Sequence, residues 1–345
     1  MARILGVSPV GRSMVSAVSG GSGGEAPATA KSAKGLRSHL LTLLKLALSV
    51  FAITTVALTV DLPAAWHRMV GQNLWLLAAA AAIMVVQIVL GGLRWHVILR
   101  ELDAPVRLPD SIRLFFIAGF FNAWLWGAVG GDVIRVWLSY RGQLSASTAV
   151  NSVILDRVAA VAGVAVLVLA TAPLFIHRVG YVMPALVPVA VAGAGLLGIA
   201  VAAQIHRLPL DWQRSRLLRA FQDLSSATRT IFLRPAAALR VLGLAVTVQV
   251  IMAFTAFVIA RSLNVGLSFL DSLVLMQPVA LITALPISVG GWGVRETAMI
   301  GLLGLVGIPS SAALSISVQL GFLVILTTLP GALFWLRMKD RAIAR

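Results

Sequence analysis

Val129-Gly130-Gly131-Asp132-Val133-Ile134-Arg135 and Val289-Gly290-Gly291-Trp292-Gly293-Val294-Arg295 share one pattern: Val-Gly-Gly, two free positions, an aliphatic residue, then Arg. Their glycine pairs lie in apolar stretches, 112–131 and 272–308, and both have apolar runs on either side. A glycine pair in an apolar helix is either a packing notch or a break. The shared spacing, position and charge favour breaks, at Gly130 and Gly131 in one copy and at Gly290, Gly291 and Gly293 in the other.

The composition says what surrounds these breaks. Of 345 residues 59% are hydrophobic and 12% charged, and the mean hydropathy is +0.96, which excludes a water-soluble globular enzyme. The net charge of +16 sits between apolar runs rather than along one basic stripe, so it does not point to nucleic acid. There is no cysteine, which removes disulfides, thiolate metal sites and cysteine nucleophiles. The class is an all-helical polytopic membrane protein.

A helix needs about 20 apolar residues to cross the hydrocarbon core. Six full spans are expected, at 40–60, 74–93, 158–176, 181–203, 241–260 and 311–336. Residues 1–39 are rich in Gly, Ser and Ala with scattered Lys and Arg, and read as a disordered basic cytoplasmic tail, not a cleaved signal. The segments 94–113 and 204–240 and the C-terminal 337–345 are also basic, and basic segments stay inside. With both termini cytoplasmic, parity requires 112–141 to enter and leave on the inside and 272–308 on the outside. Each is too short for two crossings without placing Asp132 or Arg295 in lipid, so both read as re-entrant hairpins.

The membrane domain 40–336 then holds two copies of one unit, at about 74–176 and 241–336, entered from opposite sides and therefore inverted. Interrupted helices at matching places in inverted halves point to a midplane substrate site. The linker 204–240 carries Trp212, Leu217, Leu218, Phe221, Leu224, Ile231 and Phe232 at helical spacing between arginines. It reads either as an amphipathic helix on anionic lipid or as a plain positive-inside loop.

Ionisable side chains at membrane depth usually pair or line a cavity. Six are expected there: Asp132, Arg135, Asp156, Arg157, Arg295 and Glu296. Arg135, Arg157 and Arg295 suit a lipid phosphate, because guanidinium grips its oxygens bidentately and stays charged in a dry site. Asp132, Asp156 and Glu296 would orient those arginines, answer a cationic headgroup or carry a proton; the alternative is that all six only hold the hairpins together. The five histidines form no cluster with metal-ligand spacing, and no catalytic motif is found, so neither metal nor cofactor is expected.

Three motifs in order carry a family likeness: Asn122 to Arg135 ending Gly-Gly-Asp-x-x-Arg, Ser152-Val153-Ile154-Leu155-Asp156-Arg157, and Leu285-Pro286-x-x-x-Gly290-Gly291-x-Gly293-Val294-Arg295-Glu296. Over about 40–340 the chain resembles the flippase-like membrane domain of lysylphosphatidylglycerol synthase. Where that family often has Pro before the first glycine pair, this chain has Trp126-Gly127-Ala128. The resemblance implies a translocase of phospholipids or other anionic or aminoacylated lipids, in the bacterial inner (cytoplasmic) membrane. The chain stops at Arg345 without the aminoacyltransferase domain of the full synthase, so a transporter is expected rather than a lipid-making enzyme, with a separate lipid-modifying enzyme as partner. Two other readings stand beside it: an intramembrane glycosyltransferase acting on polyprenyl phosphate lipids, and a small-solute transporter coupled to protons through Asp132, Asp156 or Glu296.

Overall fold

The computed structural model describes residues 47, 50, 51, 53–124, 130–142, 144–180, 182–207, 215–284 and 292–338. Among these no strand occurs and twelve helices follow a short helical segment at 53–59. The expected first span, 40–60, and the tail 1–39 lie mostly or wholly outside the described residues.

After α1 (Leu62–Val70) the helices fall into two runs of four, joined by a pair. The first run is α2 (Leu74–Glu101), α3 (Leu108–Trp124), α4 (Gly130–Arg141) and α5 (Ala146–Val179). The pair is α6 (Met183–Ala202) and α7 (Arg216–Phe232). The second run is α8 (Pro235–Ser262), α9 (Phe269–Ala284), α10 (Val294–Gly304) and a last span split at Pro330 into α11 (Ser310–Thr328) and α12 (Pro330–Arg337). The runs match in length as well as order: 28, 17, 12 and 34 residues against 28, 16, 11 and 28.

Among the described residues five helices are long and apolar enough to cross a membrane: 74–101, 146–179, 183–207, 235–262 and 310–337. At 1.5 Å per residue a 28-residue helix runs about 42 Å, whereas helices of 16–17 and 11–12 residues reach only about 25 and 17 Å. Over the described residues each member of α3/α4 and α9/α10 is shorter than a core of roughly 30 Å. The apolar run ending at 93 did not mark the end of its helix, which continues to Glu101. Trp95, Ile98 and Leu99 keep it buried, so residues 94–101 are helix and not part of a basic loop.

The first helices of the two runs lie side by side and antiparallel. At one end the Asn73 N–H, just before α2, donates to the Ser262 carbonyl at the close of α8 (2.8 Å). At the other end Arg240 Nη2 on the second turn of α8 donates to Glu101 Oε1 (2.9 Å). Each helix then leaves by the same turn. Asp103 (φ 53°) and Asn264 (φ 56°) take the left-handed conformation that short polar side chains tolerate. Ala104 N–H reaches back to Leu99 O and Val265 N–H to Ala260 O.

The packing of the short helices is reciprocal. α3 leans on the end of the last span, with Phe116 edge-to-face on Phe334 and Phe121 on Trp335 (centroids 5.9 and 5.0 Å). α9 leans on α5, where Ala280 and Leu281 pack against Val164, Ala165 and Val168. Each short pair is thus braced by the final long helix of the other run.

α7 is amphipathic, as its spacing foretold, and Ser215 caps it by accepting the Leu218 N–H. Its apolar side is turned to protein. Ala227 and Ile231 pack on Ile98 of α2, Leu155 of α5 and Val241 of α8, while Phe221 stays exposed. α7 is therefore held by protein on this side. Trp212 lies outside the described residues.

Candidate functional site

α4 begins at Gly130, immediately beyond residues that lie outside the description (125–129), and Gly131 sits in its first turn. A Cβ on Gly131 would collide with the Ala118 carbonyl of α3, so this glycine is required by a backbone contact and not by a positive φ. Its N–H is taken up by Asn122 Oδ1 (2.9 Å), which ties the two short helices together. In the second copy Gly290 and Gly291 fall outside the described residues. Gly293 is the one with positive φ (85°), directly before α10. Its N–H donates to Glu296 Oε2 (2.6 Å), a carboxylate cap one turn into the helix where the dipole favours negative charge.

Four of the expected residues join one network. Asp132 and Arg135, three apart on α4, face the same way and meet at 3.3 Å. Arg135 Nη1 donates to Asp156 Oδ2 on α5 (2.9 Å), and Arg157 Nε donates to Asp132 Oδ2 (2.7 Å). The Arg135 side chain is 2% exposed, whereas Arg157 is 51% exposed. Trp95 and Phe115 cover the Arg135 guanidinium with their ring faces, at 4.8 and 5.2 Å.

A fifth member was missed in the sequence. Arg94, placed there among the basic loop residues, is buried on α2 and donates Nε to Asp156 Oδ1 at 2.9 Å. Each oxygen of Asp156 therefore holds one guanidinium. The readable signal was the apolar spacing of Trp95, Ile98 and Leu99, which extends the helix past Arg94. Arg94 Nη1 and Arg135 Nε remain buried with no acceptor among the described residues. Among the described residues the network holds three arginines against two carboxylates.

Arg295 and Glu296 form a second group. Arg295 Nη2 and Nε both donate to Glu296 Oε1 (2.7 and 3.1 Å), and Ser317 of α11 accepts from Arg295 Nε while donating to the same oxygen. Arg295 is 19% exposed and lies over the Trp292 ring at 4.9 Å. Gly321, one turn beyond Ser317, leaves room for it: a Cβ there would come 2.5 Å from Arg295 Nη2. Neither Ser317 nor Gly321 was singled out in the sequence. The described ion pairs thus arrange the six expected residues as four and two, each group at the root of one short helix.

The arrangement is chemically suited to anionic oxygens, with guanidinium groups oriented by carboxylates and partly screened by aromatic faces. Residues 42–331 match the family model described as the lysylphosphatidylglycerol synthase TM region. No curated protein matches the chain.

Proposed function

This chain belongs to the lysylphosphatidylglycerol synthase transmembrane family, and from that premise we propose that it moves an anionic or aminoacylated phospholipid between leaflets. A membrane protein of lipid metabolism or transport is the broader statement, and translocation is the specific reading. One observation carries it. Each of two runs of helices in the same order, whose first helices lie antiparallel, presents an arginine at the root of its short pair, Arg135 in one and Arg295 in the other.

In this reading the two runs are inverted repeats and α3/α4 and α9/α10 are re-entrant hairpins that dip from opposite faces. Both termini are cytoplasmic and the membrane is the bacterial inner membrane. The lipid phosphate meets Arg157 and Arg295, the more exposed arginines, while the buried Arg135 supplies field rather than contact. Asp132 and Glu296 hold the contacting guanidinium groups in place when no lipid is present. The acyl tails remain in the bilayer, and rocking of one unit on the other alternates access. The chain acts as a transporter, and a separate lipid-modifying enzyme supplies its substrate.

The test is reconstitution into vesicles carrying headgroup-labelled phosphatidylglycerol, followed by accessibility of the label from outside. Protein-dependent loss of the inner-leaflet pool is expected, and Arg157→Gln combined with Arg295→Gln should abolish it while membrane insertion persists. Absence of lipid movement, with a product that appears only when a sugar donor is added, would replace the translocase by the enzyme reading. Solute uptake driven by a pH gradient, without lipid movement, would replace it by the small-solute transporter.

A further inference from the structure

The two short-helix pairs are alike in length and in their half-buried faces, yet they are attached to the rest of the molecule very differently. α4 is tied to α5 twice, by Arg135 to Asp156 and by Asp132 to Arg157, and through Asp156 to Arg94 of α2. Three helices from one run are cross-linked by ion pairs, and two of the arginines and one carboxylate are buried. In the other run the charged pair is internal to α10, because Arg295 and Glu296 are neighbours in sequence. Its partner on the following helix is the neutral Ser317 where α5 offers Asp156. The position on α8 that answers to Arg94, counted from the shared turn at Asp103 and Asn264, is Thr255, whose hydroxyl donates to Ile251 O of its own helix.

Moving α4 would pull opposite charges apart in a poorly solvated interior, a change that leaves each charge uncompensated. Moving α10 separates no opposite charges, since Arg295 travels with Glu296. Among the described residues α9 is held by one ion pair at its first turn, Asp271 to Arg178 of α5 (3.3 Å), which costs little to part because its arginine is 38% exposed. We propose that Arg94 and Asp156 are positioning residues that hold α3/α4 as the static half of the lipid site, and that α9/α10 is the half that moves. The proposal rests on the translocase reading for its purpose, but the difference in attachment is measurable without any lipid movement.

Hydrogen–deuterium exchange on the full chain in phosphatidylglycerol/phosphatidylethanolamine nanodiscs tests it. Peptides covering 294–304 should exchange faster than those covering 130–141 by about tenfold or more, because local opening follows the weaker attachment. Equal exchange, or faster exchange at 130–141, overturns the proposal outright and needs no variant. Arg94→Gln and Asp156→Asn should each raise exchange across 130–141 while leaving 294–304 unchanged, and Arg94→Lys should restore much of the protection. A uniform rise across all helices would show a general loss of stability and also overturn the positioning role. If the exchange contrast holds but vesicles show no lipid movement, the translocase reading fails and the unequal attachment stands.

Discussion

Arg94 and Asp156, 62 residues apart in sequence, meet in the interior with Nε 2.9 Å from Oδ1. Asp156 holds Arg135 with its other oxygen, so its removal strands two buried cations at once. Asp156→Asn should lower stability by about 3–5 kcal/mol, the usual cost of breaking a buried pair. Arg157→Gln, at a half-exposed pair, should cost only about 0–1 kcal/mol. Thermal unfolding in detergent distinguishes them, and a larger loss for Arg157→Gln would refute the assigned burial.

Gly131→Ala should be harmful to folding as well as to movement. The Ala118 carbonyl occupies the place of the new methyl, so backbone has to shift. Overpacking of this kind costs about 1–3 kcal/mol. Reduced yield and a lower unfolding temperature are expected; unchanged values for both would mean that α3 and α4 do not approach this closely.

Gly321→Ala should act differently, because the group it displaces is the flexible end of Arg295 and not backbone. Expression and unfolding temperature should stay near those of the parent, while lipid movement falls toward the level of Arg295→Gln. Full transport by Gly321→Ala would remove Arg295 from the site.

Topology is testable directly, since the chain has no cysteine of its own. Arg107 follows the end of α2 and Gly266 follows the end of its antiparallel neighbour α8, and both are exposed. Arg107→Cys should be labelled by an impermeant reagent from the cytoplasm and Gly266→Cys from the exterior. Labelling of both from one side would end the inverted reading of the two units.

The long apolar helices were legible because each needs some twenty consecutive apolar residues, and the structure lengthens them mainly at their ends. Although Gly290 and Gly291 fall outside the described residues, each glycine motif lies beside one of the short helix pairs. Their chemistry was less legible: Gly131 is set by a neighbour's carbonyl on α3, and nothing local in the sequence announces that contact. Arg94 was hidden for a related reason. Its apolar run ends at 93, so a charge there reads as a helix end until the partner at 156 is known. Ser317 carries no charge and gave no signal at all, although it bridges Arg295 and Glu296.

The reciprocal bracing of the short helices has a consequence for how the chain is made. α3 rests on Phe334 and Trp335, which leave the ribosome some two hundred residues after it. Until they arrive, Phe116 and Phe121 have no rings to pack against there. The first pair therefore lacks this brace until synthesis is almost complete. A nascent chain halted before residue 330 should leave this pair open to protease, and completion of the last span should close it.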